Sequence, residues 1–155
     1  MPPLSRKEIL RQVDPTGRVV VLDGAVTLTH EYHAGRILLM SVDPAAATTF
    51  TLPEAAGTGN VFHFKVGILN TSNYVISRAG SDLIDGSLTN ISTTNDNEEG
   101  FQAENEITIT LDGDAQGGFR PGDWVELTDI LINQWTVRGQ TTTNSASGTT
   151  PFASS

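Results

Sequence analysis

The chain has 155 residues, 37% hydrophobic and only 17% charged, and a formal net charge of -9. That length suits one domain with a real core, and the acidic balance argues against free nucleic acid or an anionic membrane as a partner. With no cysteine, disulfides, thiolate metal sites and cysteine nucleophiles are excluded.

No apolar run approaches the ~20 residues needed to cross a bilayer. The opening MPPLSRKEIL lacks the apolar core of a secretory signal, so synthesis in the cytoplasm without export is expected. Thr, Ser, Asn and Gly fill the place of the missing charges. These residues suit strands, turns and loops better than helices, so a mainly β protein is expected.

The first segment is the one good helix candidate. Ser5 and Glu8 have the spacing of a capping box, and Leu4, Ile9, Leu10 and Val13 form a narrow apolar stripe that Pro15 ends. A helix of about two turns is not stable alone and must dock on its own domain or on a neighbour. Arg6, Lys7 and Arg11 make this arm basic while the remainder is acidic. The usual role of such charges is solvation; the alternative is an arm that reaches an acidic neighbouring subunit.

From residue 18 onward the pattern is β. Residues 18–22 are an apolar run closed by Asp23-Gly24. Residues 25–29 alternate. Residues 36–42 are nearly continuously apolar, as in a strand covered on both faces. Residues 48–52 alternate with Phe50 and Leu52 inward, and Pro53 ends them. After the turn at Gly57-Thr58-Gly59-Asn60 comes the clearest alternation: Phe62, Phe64, Val66 and Ile68 share one face, Val61, His63 and Lys65 the other. Burying that first row contributes ~1.5–3 kcal/mol per side chain. Residues 74–77 form the next strand.

Residues 81–102 are less regular, with short apolar runs around Leu83-Ile84 and Leu88 and an acidic loop at 95–100. Ile107, Ile109 and Leu111 then alternate with Thr108 and Thr110. Trp124 to Leu127 and Trp135 to Val137 supply the last strands. Short strands and turns at this spacing fit a single antiparallel sandwich or barrel. The predicted core is Phe50, Leu52, Phe62, Phe64, Val66, Ile68, Ile107, Ile109, Trp124, Trp135 and Val137. The predicted organisation is an arm with a short helix over 1–17, a β domain over 18–139 and an extended low-complexity tail over 140–155. Such a tail is expected to order only against neighbouring subunits, with Phe152 as its contact.

Candidate chemistry is sparse. His30-Glu31-Tyr32-His33 is not the zinc helix H-E-x-x-H, because its second His comes one residue early. It reads as a turn with surface histidines. Asp112-Gly113-Asp114 resembles the start of a calcium loop but lacks the closing Glu, so a hairpin turn is expected. The pairs Asp82 with Asp85 and Glu104 with Glu106 sit in no glycosidase or protease context. There is no G-x-S-x-G elbow, and Gly57-Thr58-Gly59 is followed by no Lys-Ser or Lys-Thr. Trp124 and Trp135 read as core anchors rather than sugar platforms. No enzyme activity, cofactor or metal is expected.

The segments TLPEAAGTGNVFHFKVG, NYVISR, GDWVELTDI and QWTVRGQ resemble a pattern in structural proteins of tailed-phage particles, a hairpin followed by a short strand and a late strand pair. The likeness covers residues 50–140. In size, β-rich body and terminal arms the chain most resembles head decoration, or cement, proteins. The resemblance implies a trimer on the outer head surface that reinforces the shell, with the major capsid protein or another virion protein as partner and the virion as location. A tail or fibre component, or a receptor-binding module exposing Trp124, Trp135 or Tyr74 to glycans, is the alternative. For the assembly role the candidate contacts are Leu4, Arg6, Lys7, Ile9, Leu10, Arg11 and Phe152.

Overall fold

A computed structural model describes residues 15–154 of the chain. A 3-10 turn at Pro15–Arg18 leads into β1 (Val19–Val21), and β2 (Val26–Thr27) follows. A one-turn helix, His30–His33, precedes β3 (Ile37–Met40), β4 (Thr48–Thr51), β5 (Val61–Val66) and β6 (Tyr74–Ser77). The second half holds β7 (Leu83–Ser92), β8 (Glu98–Glu106), β9 (Thr108–Leu111), β10 (Trp124–Leu131), β11 (Gln134–Thr143) and β12 (Phe152–Ala153). The strands form two sheets that pack on each other as a β-sandwich. One has the order β1-β3-β5-β10-β11-β7-β8 and the other β12-β9-β6-β4-β2.

The first six strands alternate between the sheets, odd strands in the larger and even strands in the smaller. Within each sheet they pair parallel, so this half winds as a flattened coil. The register stacks Val20, Leu38 and Phe64 across one sheet. It stacks Val26, Phe50 and Ile76 across the other. The sheets are therefore mixed, where alternation alone suggested antiparallel pairing. A parallel pair needs a long crossover, and here each crossover is the strand laid in the opposite sheet. Asp23-Gly24, Asp43-Pro44 and Gly57 to Asn60 accordingly carry the chain between sheets and do not close hairpins. Direct hairpins join β7 to β8 and β10 to β11. The irregular stretch 81–102 is the first of these.

Phe50, Leu52, Phe62, Phe64, Val66, Ile109, Trp135 and Val137 are buried between the sheets, as their alternation predicts. Leu38, Met40, Tyr74, Ile76, Val125 and Leu127 complete that layer. Three expected core residues are only half-buried. Val125 and Leu127 take the inner face of β10, which turns Trp124 outward, where its ring stacks on His63 at 5.6 Å. Ile68 lies beyond the end of β5. Ile107 sits in the one-residue gap where the chain leaves β8 for β9 and changes sheets.

The C-terminal residues belong to the domain itself. β11 runs through Thr143, past the expected boundary at 139. The next residues fold back along the body. Ser92 Oγ donates to Ser145 O at 2.8 Å, Asn95 Nδ2 to Ala146 O at 3.1 Å, and Gln116 Nε2 to Thr150 O at 3.1 Å. Glu99 accepts from the Ser147 hydroxyl and the Gly148 amide. Strand β12 then pairs with β9, setting Phe152 opposite Ile109 with 6% of its surface exposed. Phe152 thus packs into the core of its own domain. Enough polar side chains reach the tail's backbone groups to order a segment with almost no apolar residues of its own. The arm residues Leu4, Arg6, Lys7, Ile9, Leu10 and Arg11 lie outside the described residues.

Candidate functional site

The densest polar cluster surrounds the loop after β4. Asp129 on β10 is fully buried. Its Oδ1 accepts from Ala56 N at 3.0 Å and Gly57 N at 2.7 Å, and its Oδ2 from Thr58 N at 3.2 Å and Thr58 Oγ1 at 2.7 Å. Burial alone would raise this carboxyl. The Thr58 hydroxyl and the amides of Gly57, Ala56 and Thr58 outweigh it and hold the group below the usual Asp range. Asp82 does similar work one loop away, accepting from Ala55 N at 2.7 Å and Trp135 Nε1 at 3.3 Å.

The histidines of the HEYH segment sit on the one-turn helix, whose N-cap is Thr29. His33 is buried, in contrast to the surface position expected of it. Its Nδ1 accepts from Thr29 N at 2.9 Å, which requires an unprotonated ring nitrogen there. Burial and then the Arg36 charge lower its pKa, and the net shift is down. His30 lies edge-on to Phe62 and stacked 6.1 Å from Trp135. Its ring nitrogens are 3.0 Å from Glu54 O and 3.0 Å from Asn60 Nδ2. A neutral tautomer with Nε2–H donating and Nδ1 accepting satisfies both.

A second polar cluster fills the inside at the far end of β11. Asp123 accepts from Thr142 N at 2.8 Å and Thr142 Oγ1 at 2.9 Å. Burial nevertheless raises its carboxyl above the usual value, against these bonds and that from Arg120 N. Asn90 and Thr141 are also buried and share a hydrogen bond, with Asn90 Nδ2 left without a partner among the described residues. The Asp112-Gly113-Asp114 loop crosses between sheets, so it is not the expected hairpin. Asp112 Oδ1 accepts from the amides of Asp114 and Gln116, both at 2.8 Å. Among the described residues no group of three or more His, Asp or Glu is placed to hold a metal ion.

These carboxylates and histidines hold loops to strands. The structure brings His30, Asp129, Asp82 and Trp135 together around the first cluster and leaves His63 apart from them, on the outer face of the larger sheet. There Glu126 lies 3.4 Å from His63 and 2.9 Å from Arg138. Comparison of the chain with protein-family models, with curated proteins and with solved structures finds no match.

Two surface features escaped the sequence reading. The tip of the β10–β11 hairpin exposes three consecutive apolar side chains, Ile130 at 48%, Leu131 at 58% and Ile132 at 75%. An Ile132–Ala56 bridge and the Asn133 N–Ala55 O bond at 3.1 Å fix this tip to the Asp129 loop. Isoleucines and leucines read as strand interior in sequence, and only the place of the turn reveals them as a tip. The second feature is electrostatic: residues 79–119 carry nine carboxylates and no Lys, Arg or His.

Proposed function

We propose that the protein is a non-enzymatic virion structural protein, a decoration protein that binds the outside of a phage capsid as a trimer and stabilises the shell. The segments that resemble phage structural proteins form β4 to β6, β10 and β11, which make up the centre of both sheets. The observation that carries the reading is the engagement of the buried acids. Asp129, Asp82 and Asp123 are all bound to backbone amides and neighbouring polar groups, a chemistry that stiffens a body. The rigid apolar tip at Ile130, Leu131 and Ile132 is the surface assigned to the shell, because exposed contiguous apolar side chains mark interaction sites. Weak contacts of this size become firm when several are linked in one oligomer.

The test is addition of the purified protein to undecorated capsids. Saturable binding at lattice symmetry points supports the reading, and absence of binding at micromolar concentration overturns it. The tail or fibre alternative retains one aromatic. Trp135 and Tyr74 are buried, which leaves Trp124, half-buried beside His63, as a glycan platform. Glycan-array binding abolished by Trp124→Ala would favour that alternative.

A further inference from the structure

The chain's charges are separated along one sheet. Residues 1–14 hold three cations, Arg6, Lys7 and Arg11, against Glu8 and Asp14. They lead through the turn Pro15–Arg18 into β1, one edge strand of the larger sheet. The other edge strand is β8, which lies in the cation-free stretch and carries Glu98, Glu99, Glu104 and Glu106. Glu98 and Glu104 are exposed. Glu106 Oε2 is buried with no hydrogen-bond partner among the described residues.

β8 is also open as a strand. β7 occupies one side of it, and among the described residues its other side has no backbone partner. Over the β7–β8 pair a groove of about 540 Å³ is lined by Ser87, Leu88, Thr89, Gly100, Phe101 and Gln102, with Thr150. An edge strand with one side unpaired over Glu98 to Glu104 and one sign of charge fits a basic partner segment.

We infer that the β8 edge of one copy receives the basic N-terminal segment, Arg6 to Arg11, of a second copy. The occupant follows from charge and from where the segment begins. Six strand spacings of ~4.8 Å put β1 and β8 about 29 Å apart. Crossing that span within one molecule takes about nine residues at ~3.3 Å each. Arg11 would then lie over the middle of the sheet, and only Arg6 and Lys7 would arrive. From a neighbour the segment is not tied to that span, so all three cations are free to meet the carboxylates. Because donor and acceptor lie on opposite edges, copies can join head to tail, and such a contact closes into a ring when the rotation between copies closes. The inference rests on the decoration reading only in taking the protein to assemble with itself.

The test is light scattering with chromatography on the full chain, without capsids, over a range of protein and salt concentrations. The expected result is a small closed oligomer that weakens as salt rises. The pair Glu98→Lys and Glu104→Lys weakens assembly about tenfold or more, and so does the triple Arg6→Glu, Lys7→Glu, Arg11→Glu; joined in one chain they restore it. Glu98→Gln with Glu104→Gln, a milder pair, weakens assembly less. Thermal unfolding matched to the parent shows that each variant is folded. A full chain that stays monomeric, assembly indifferent to both reversals, or a joined variant that fails to recover overturns the inference. An edge charged only to deter aggregation gives the second of these outcomes. Capsid binding is scored separately, so either reading can fail while the other stands.

Discussion

Asp82 and Trp135 meet in the interior: Trp135 Nε1 donates to Asp82 Oδ2 at 3.3 Å, and that same oxygen accepts the Ala55 amide at 2.7 Å. One carboxylate oxygen thereby ties the largest core side chain to the loop that leaves β4. Asp129, on the neighbouring strand, holds the next three residues of that loop. The loop owes its shape to these two acids, and its sequence of small residues permits that shape.

Asp129→Ala should destabilise the protein by about 2–4 kcal/mol, because each amide left unpaired costs ~1–3 kcal/mol and water reaches the exposed Gly57 and Thr58 in compensation. The Asp129 carboxyl is held low in the folded state, so its contribution is present above the ordinary Asp value and is lost as pH falls through the folded one. Urea unfolding between pH 3 and pH 7 should show a shallower acid slope in Asp129→Asn. An unchanged slope would count against this role.

His33 acts in a higher pH range. Its folded pKa lies below 6.5, so the unfolded chain binds more protons in the window between the two values. Stability from this site is complete above pH 6.5 and declines as the pH drops toward the folded value. An NMR titration of the His33 ring should give a midpoint below 6.5; a midpoint above it contradicts the Thr29 hydrogen bond.

Phe152→Ala should cost ~3–5 kcal/mol, comparable with Phe64→Ala, since both rings are buried. A chain cut after Thr143 should lose more, because β12 and the bonds from Ser92, Asn95 and Gln116 go with it. Guanidinium unfolding of the two variants and the truncation checks this. A tail that served only neighbours would leave monomer stability untouched.

Gly113 has φ +71, and a Cβ there would lie 2.0 Å from Asn70 O. Gly113→Ala should therefore destabilise by more than ~1 kcal/mol, the cost of the backbone conformation alone. Thermal unfolding reads this directly.

Ile132→Asp removes the most exposed apolar side chain of the β10–β11 tip. It should leave the unfolding midpoint within about 0.5 kcal/mol of the parent and reduce capsid binding at least tenfold in a sedimentation assay.

Much of the sandwich was legible in the sequence, because Phe62, Phe64 and Val66, or Phe50 and Leu52, alternate cleanly and one face must be dry. Strand direction was not. Val20, Leu38 and Phe64 stack parallel, yet alternation has the same period in either direction, and the turns at Asp23 and Gly57 look like hairpin turns. Trp124 misled for a related reason: it neighbours an alternating run, and Val125 and Leu127 fix the phase that excludes it. The histidine pair looks superficial in sequence because a one-turn helix leaves no periodicity. Burial of His33 follows from how that turn docks, which no local pattern encodes. The tail misled by composition, since its order comes from polar partners on distant strands.

Phe152 closes the interior only after every other strand has been laid down. Copies that lack β12 present an unfinished apolar surface beside Ile109, which they can cover only against other molecules.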